Sequence, residues 1–217
     1  MTTLPGMTSI NLRVVDLFHL DTVNSFQQAA DAGLWGVIHK ATTGATGSDS
    51  AYASRRQPAL DAGLLWGAYH FGSNADVTQQ VDNFLTIAQP DANTLVALDF
   101  EPYTGDQMTL DQAQQFLQLI EQQLGRKAVL YSGSLIKQDL GSTVNSYFGS
   151  HRLWLADYSE TPSVQASWST YWLWQYTDGS VDLTPNSIAG IPGDSDGNLD
   201  CNSFAGTQEE LITQWAS

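Results

Sequence analysis

The chain has 217 residues, 42% of them hydrophobic, and no linker-like segment, so we predict one domain over residues 1–217, with residues 1–9 as a flexible N-terminus. With 23 acidic and 8 basic residues, its net charge is −15. Such a surface repels nucleic-acid phosphates and anionic membranes, so we expect neither as a partner. The only cysteine, Cys201, excludes an internal disulfide.

A short repeat near the start of the chain predicts alternating helices and strands. The sequence DAGLWG at residues 31–36 returns as DAGLLWG at residues 61–67. Each copy ends a helical pattern at a glycine and leads into an apolar run, as in a βα unit. A third helix begins at Thr109, which can form a capping box with Gln112, and ends at Gly125. Its apolar stripe consists of Ala113, Phe116, Leu117, Ile120 and Leu124.

Short apolar runs between and after these helices predict eight strands. They comprise residues 14–15, 36–38, 65–69, 94–98, 128–131, 153–156, 171–174 and 198–204. Apolar runs that alternate with helices are typical of parallel strands buried on both faces. The helical pattern fades after Tyr131. We therefore predict an α/β fold, an irregular TIM-like (β/α) barrel in which helices are missing between the last strands.

Most of the predicted strands end in a polar or titratable residue. In a parallel barrel the carboxyl ends of all strands meet at one rim, where active sites form, so we expect these side chains around one pocket. The alternative is that polar residues simply resume wherever the chain leaves the core. The residues concerned are Asp16, His39, Lys40, His70, Asp99, Glu101, Tyr131, Ser132, Asp157, Tyr158, Gln175 and Tyr176.

The motif Leu98-Asp99-Phe100-Glu101 places two carboxyl groups at the end of a buried strand. Residues i and i+2 of a strand face the same side, roughly 6–7 Å apart along it. Carboxylates so placed raise each other's proton affinity, so that one can keep its proton as a general acid while the other is ionised. Hydrolysis of a glycosidic bond uses such a pair. The alternative, a solvated acidic loop, is disfavoured because the pair follows five residues of buried-strand character.

The chain also resembles a known family, the glycoside hydrolase family 25 lysozymes (Chalaropsis-type muramidases), over nearly its whole length. The resemblance depends on the order of many short motifs. These are VDL at 15–17, HKAT at 39–42, AGL at 62–64, GAYHF at 67–71, LDFE at 98–101, YS at 131–132, WLADY at 154–158, WQY at 174–176 and GNLDCNSF at 197–204.

The resemblance implies a hydrolase that cleaves the β-1,4 bond between N-acetylmuramic acid and N-acetylglucosamine in bacterial peptidoglycan. It implies that Glu101 is the general acid and Asp99 its acidic partner, and that Asp16 and Asp200 are further carboxylates of the cleft. It also implies a set of residues that shape the sugar subsites. That set is Tyr69, Tyr131, Tyr158, Trp174, Gln175 and Tyr176.

Two mechanisms and three functions are open at this point. Asp99 either acts as a nucleophile or orients the substrate's own 2-acetamido group, which then attacks the anomeric carbon; the short i, i+2 spacing favours the second. The alternatives to a muramidase are a carbohydrate-binding barrel without turnover and a hydrolase of chitin-like polymers. The chain departs from the family pattern at Phe18, where serine is usual, and at Thr43, where glutamate is usual.

We expect no metal and no cofactor. Residues 194–200, DSDGNLD, resemble a calcium loop, but their glycine is at the fourth position and Ala205 stands where a glutamate would close the loop. A polar turn that brings Asp200 to the cleft is favoured. His39 and His70 are expected to hydrogen-bond carboxylates rather than to bind zinc, and Cys201 is expected to be a buried, non-catalytic residue.

The expected setting follows from the absence of targeting patterns. Residues 1–10 carry neither the positive nor the apolar region of a signal peptide, and no apolar stretch is long enough to span a membrane. We therefore expect synthesis in the cytoplasm and action on the bacterial cell wall as a monomer. Release by phage lysis and a dedicated export route are both compatible with this pattern.

Overall fold

The computed structural model describes residues 10–217, and its centre is a closed barrel of eight strands. The expected flexible N-terminus, residues 1–9, lies outside the described residues. The ring order is β1-β9-β8-β7-β6-β5-β4-β2, and it closes because β1 also pairs with β2. The strands are β1 (Val14–Leu17), β2 (Gly36–Thr43), β4 (Leu65–Phe71), β5 (Leu95–Asp99), β6 (Val129–Ser132), β7 (Leu153–Ala156), β8 (Leu173–Thr177) and β9 (Asp200–Ser203).

All eight predicted strands are present, and the short strand β3 (Gly47–Ser48) adds a hairpin to the end of β2. Side chains alternate between the barrel interior and the layer beneath the helices, as the two-residue period of a strand requires. Val14 belongs to the interior cluster, whereas its neighbour Val15 packs in the outer layer. Each strand is therefore buried on both faces, which explains why its sequence is an unbroken apolar run.

The helices that the repeat and the capping pattern predicted are confirmed. Helices α1 (Phe26–Asp31) and α2 (Tyr52–Asp61) each end shortly before a glycine with positive φ, Gly33 and Gly63. Helix α4 (Leu110–Leu124) begins with the predicted capping box. Its predicted stripe packs against the barrel, fully buried except for the partly buried Leu124.

Three helices were not predicted from the sequence. They are α3 (Val77–Ala88), the short α5 (Ser134–Leu140) and the C-terminal α6 (Gln208–Trp215). Within the described residues no α-helix separates β7 from β8 or β8 from β9, so the prediction that helices are missing between the last strands is confirmed. Residues 10–217 form no helix that is both long and apolar enough to cross a bilayer.

Helix α6 closes the end of the barrel at which the parallel strands begin. Its Leu211 and Trp215 join the interior cluster, and the Trp215 indole N–H donates to the Trp66 carbonyl at 2.8 Å. A Cβ atom at Gly36 would lie 2.9 Å from the Trp215 ring, so this close approach requires glycine. Within residues 10–217, the barrel opens at the opposite rim.

Strand β9 corrects the expectation of an all-parallel barrel. It runs antiparallel to both neighbours, β8 and β1. The described structure has no crossover helix between β8 and β9, and an antiparallel return needs none. As a consequence the first residue of β9, Asp200, lies at the rim where the parallel strands end, opposite Asp16 of β1.

Candidate active site

The open rim of the barrel surrounds a pocket of about 170 Å³. Strand ends from both halves of the chain contribute to it, as the sequence predicted for side chains that share one rim. All four carboxyl groups proposed as catalytic lie in its wall. The lining residues are Asp16, Tyr69, Asp99, Glu101, Tyr131, Trp154, Tyr158, Gln175 and Asp200.

Asp99 and Glu101 face this pocket together, which confirms the predicted i, i+2 arrangement. Asp99 is the last residue of β5, and the intervening Phe100 is fully buried in the outer layer. Phe100 is held there by its backbone, because its N–H donates to the Tyr131 carbonyl at 2.9 Å and its carbonyl accepts from the Ser132 hydroxyl at 2.6 Å. The strand alternation thus continues past β5 and places both carboxyl groups on the pocket side.

The Asp99 carboxyl is buried without full hydrogen bonding. It is 5% exposed, and its Oδ1 has no partner among residues 10–217. Burial raises the pKa of Asp99 well above its usual range, the charge of Glu101 raises it further, and Lys40 opposes the shift. An unpaired carboxyl oxygen at this depth is costly unless a ligand donates a hydrogen bond to it, so Asp99 is suited to accept one from a bound substrate.

Glu101 lies where the pocket meets an adjoining cavity of about 290 Å³, which shares Glu101, Tyr131 and Tyr158 with it. The side chain is partly exposed, so a ligand spanning the two spaces can reach it. Burial raises the pKa of Glu101, and the ammonium group of Lys40 counteracts this. Lys40 itself sits over the Phe71 ring, 4.4 Å from the ring centre.

Asp16 is equally buried but, unlike Asp99, it is surrounded by donors. The Gln175 amide donates to its Oδ1 and Oδ2 at 3.1 and 3.0 Å, and the Asn202 amide donates to Oδ2 at 2.8 Å. Burial raises the pKa of Asp16 to about 7, while the two amide hydrogen bonds lower it. The shift is therefore smaller than it would be for an unpaired carboxyl at this depth.

Two tyrosines fix the Gln175 side chain. The hydroxyls of Tyr131 and Tyr158 both donate to its Oε1 at 2.8 Å. Burial raises the pKa of both phenols, so they remain protonated donors at neutral pH. Gln175, predicted as a sugar-binding residue, thus lines the pocket, but its side-chain amide is hydrogen-bonded to Asp16 and to the two tyrosines.

Asp200 completes the set of carboxyl groups. Burial raises its pKa well above the usual range, and the charges of Asp16 and Asp21 add to the shift. Asp194, in the loop before β9, uses its Oδ1 to accept the backbone N–H groups of Asp196 and Asn198 at 2.9 Å. This hydrogen bonding is that of the expected polar turn that leads to Asp200.

Trp174 and Tyr176 correct the predicted subsite list, because both point away from the pocket. They alternate with Leu173 and Gln175 on β8 and belong to the outer layer. The Trp174 indole donates to the Asp157 carbonyl at 2.7 Å, and the Tyr176 hydroxyl donates to the Pro185 carbonyl. Both lie outside the pocket lining, whereas Tyr69, Tyr131, Tyr158 and Gln175 do line the pocket.

Two residues with a part in the site were not singled out from the sequence. Trp154 lines the pocket, and its indole N–H donates to the Asn202 Oδ1 at 2.6 Å. The amide nitrogen of Asn202 in turn donates a hydrogen bond to Asp16. The interior position of both residues could have been predicted from the sequence, because side chains alternate between the two faces along β7 and β9.

The strand-end histidines do not hydrogen-bond carboxylates, and that expectation was wrong. His39 donates from Nδ1 to the Lys40 carbonyl at 2.8 Å and accepts from Arg55 at Nε2. His70 lies between the Thr42 hydroxyl and the Gln80 side chain and stacks on Phe116. Burial lowers the pKa of each to about 4, so both are neutral. Within residues 10–217 no group of three or more potential ligands is arranged to hold a metal ion.

The two departures from the family pattern lie outside the pocket wall. Thr43 is at the end of β2, where it pairs with Gly47 of the β3 hairpin. Phe18 follows β1; its N–H donates to Asp21 at 2.7 Å and its carbonyl accepts from Arg55. Cys201 is buried in the outer layer with its thiol against the Leu199 carbonyl, as its expected burial requires.

Comparison with known proteins identifies the family. The model of "Glycosyl hydrolases family 25" matches residues 15–183. The autolytic lysozyme of Clostridium acetobutylicum is 28% identical over 190 residues, which cover 85% of this chain and 54% of the relative. The chain spans between about half and three fifths of the length of the curated relatives it matches.

Solved structures have the same fold. The bacterial lysozyme from Streptomyces coelicolor superposes with a TM-score of 0.82 at 24% identity, covering 96% of this chain and 98% of that one. A family GH25 lysozyme from Aspergillus fumigatus gives a TM-score of 0.77 at 24% identity, covering 95% and 99%. At this identity the superpositions establish the barrel fold.

Proposed function

The chain belongs to glycosyl hydrolases family 25, and on that basis we propose that it is a peptidoglycan hydrolase that cleaves the β-1,4 bond between N-acetylmuramic acid and N-acetylglucosamine. The observation that carries the proposal is the pair Asp99 and Glu101, which line one pocket together with Asp16 and Asp200. A carbohydrate-binding barrel needs no such group of acids, whereas glycoside hydrolysis does.

Glu101 is proposed as the general acid. It stands between the pocket and the adjoining cavity, where a glycosidic oxygen would lie if the two sugars occupied the two spaces. Because burial raises its pKa, it retains a proton that it can donate to the leaving oxygen as the C–O bond breaks. The resulting carboxylate then takes a proton from the incoming water.

Asp99 is proposed to act through the substrate's 2-acetamido group. Its deeper position and unpaired Oδ1 suit a hydrogen bond from the acetamido N–H, which would aim the carbonyl oxygen at the anomeric carbon. The remaining carboxyls and the phenols of Tyr69, Tyr131 and Tyr158 line the space around that sugar. A substrate that lacks the acetamido carbonyl should be cleaved far more slowly; an undiminished rate would exclude neighbouring-group attack.

Wall digestion tests the proposed function. Purified protein is incubated with bacterial cell walls, and the new reducing ends are reduced with borohydride and identified. We expect reduced muramic acid with the wild type and none with Glu101→Gln. The matched control is Glu209→Gln, the same change at an exposed position of α6, which should retain full activity.

Each other outcome overturns the proposal in a different way. Binding to walls by wild type and Glu101→Gln, with no products from either, would indicate a carbohydrate-binding barrel. Soluble chitin fragments without wall products would indicate a different amino-sugar polymer. Release of reduced glucosamine would indicate cleavage of the other glycosidic bond of the wall.

The physiological target that we propose is the glycan strand of the bacterial wall. We propose that the protein acts as a monomer and that residues 10–217 form one catalytic domain. Analytical ultracentrifugation at assay concentration tests the oligomeric state. Phage lysis and dedicated export both remain compatible with delivery to the wall.

A further inference from the structure

Asp16 is the only carboxyl of the pocket that two side-chain amides contact within the described residues, and the neighbours of one of these amides, Asn202, fix its orientation. Asn202 accepts at Oδ1 from the Trp154 indole, which is a donor and never an acceptor. Its Nδ2 must therefore face Asp16, at 2.8 Å. The orientation of this amide thus follows from the chemistry of its neighbours.

The second amide, that of Gln175, also presents its nitrogen to Asp16 in the structure. Two phenol hydroxyls, from Tyr131 and Tyr158, converge on Oε1 of Gln175. The phenol oxygens could also accept from an NH2 group, but a turned amide would point its oxygen at the Asp16 carboxylate, which has no proton to donate when it is ionised. The orientation of Gln175 in the structure is therefore the one that suits an ionised Asp16.

The result is a carboxyl group whose side-chain partners are all donors. An ionised carboxylate accepts such hydrogen bonds, whereas a protonated one would need an acceptor for its own O–H. Asp99, at the same depth, has an oxygen without any partner. The two residues therefore differ in hydrogen bonding and not in burial, since they are 6% and 5% exposed.

We propose that Asn202 and Gln175 are positioning residues that hold Asp16 as an ionised member of the carboxyl cluster, so that the proton needed for acid catalysis resides on Glu101 and not on Asp16. The proposal rests on the proposed function in so far as it assigns the proton needed for acid catalysis. An anion at Asp16 would also favour positive charge developing on the sugar ring.

The titratable groups around Asp16 are carboxyl, phenol and thiol groups. Burial and the charges of Asp21 and Glu101 raise the pKa of Asp16 to about 7, and the two amides are the groups that lower it. Titratable neighbours that act on Asp16 or respond to its charge are Asp21, Asp99, Glu101, Asp200, Tyr69, Tyr131, Tyr158 and Cys201.

The test is the titration of the Asp16 carboxyl, followed by ¹³C NMR in the substrate-free protein and assigned with Asp16→Asn. In Asn202→Leu we expect the pKa of Asp16 to rise by about one unit or more, because a donor is lost from a buried carboxylate. Gln175→Leu should do the same. The matched control is Gln165→Leu, which removes a buried amide that bonds only backbone groups far from the pocket and should leave the titration unchanged.

The pH dependence of wall lysis provides a second readout. Activity that needs ionised Asp16 is lost as the pH falls through its pKa, so a raised pKa moves the acid limb to higher pH. Asn202→Leu and Gln175→Leu should show this shift, which a purely structural role would not produce. Should Asn202→Leu fail to fold, Trp154→Phe keeps the amide but removes its orienting donor, and a smaller upward shift is expected.

The outcomes separate this inference from the proposed function. Folded Asn202→Leu and Gln175→Leu proteins with an unchanged Asp16 titration would overturn the inference even if walls are cleaved. A wild type that releases no reducing ends would overturn the function, while a raised Asp16 pKa in the variants would still support the assignment of charge.

Discussion

The two halves of the barrel contribute to the pocket in different ways. From β1 to β6 helices alternate with strands, and this half provides three of the four carboxyl groups, Asp16, Asp99 and Glu101. From β7 to β9 loops replace the helices, and this half provides both amides that hydrogen-bond Asp16, Gln175 and Asn202. The regular half thus presents the acids, and the irregular half determines how one of them is held.

This division has a physical basis. A βα unit delivers one strand end to the rim at a fixed spacing, so acids at the ends of β1 and β5 meet there without further adjustment. Holding a buried carboxylate requires donors on the interior faces of neighbouring strands. Strands β8 and β9 pair with each other, and β9 pairs with β1, so they are the neighbours that can supply these donors.

The largest expected effect concerns an acid of the regular half. Asp99→Asn should lower kcat by about a hundredfold to ten-thousandfold, because it removes a group that acts on the reacting sugar. Turbidity loss of a wall suspension measures it, with the exposed Asp82→Asn on α3 as the control. If Gln175→Leu, measured at its own optimum pH, lost as much activity as Asp99→Asn, the proposed difference between the two halves would be contradicted.

Stability should differ between the halves as well. Phe116 of α4 is fully buried and stacks on His70 at 4.7 Å, so Phe116→Ala should lower the free energy of unfolding by about 3–5 kcal/mol. Tyr171, in the loop before β8, is only partly buried, and Tyr171→Ala should cost about 1 kcal/mol. Urea unfolding of both variants decides this, and equal losses would contradict the expected difference.

The smallest expected effect concerns the charge of Lys40. Its ammonium lowers the pKa of Glu101, so Lys40→Met should raise that pKa. The acid must be protonated to act, so the alkaline limb of the pH–rate profile should move to higher pH. We expect roughly half a pH unit, because a half-buried ammonium is partly screened by solvent. Lys40→Arg should restore the profile, and an alkaline limb that stays in place in Lys40→Met would show that this charge does not act on Glu101.

Much of the regular half could be predicted from the sequence because its signals are local. The repeat at residues 31–36 and 61–67, the capping box of α4 and the buried run before Asp99 each lie within one element. Helix α3 was predictable in principle, since Val77, Val81, Phe84 and Ala88 recur at helical spacing. Unlike the predicted helices, α3 is capped by Gln89 and not followed by a glycine, so its end carries no comparable signal.

The irregular half could not be predicted to the same depth, because its contacts are distant in sequence. Gln175 and Asn202 lie 159 and 186 residues from Asp16, and no local pattern indicates that they meet. The antiparallel direction of β9 depends on the absence of a crossover helix. Only the outward orientation of Trp174 and Tyr176 was within reach, since alternation along β8 requires it once Gln175 is placed inside.

Titration of the Glu101 carboxyl by ¹³C NMR, assigned with Glu101→Gln, tests most directly whether an acid of this pocket keeps a proton for the leaving sugar. The expected result is a pKa above the ordinary range of glutamate, because burial disfavours the charged form. A pKa at or below that ordinary range would contradict the assignment of Glu101 as the general acid.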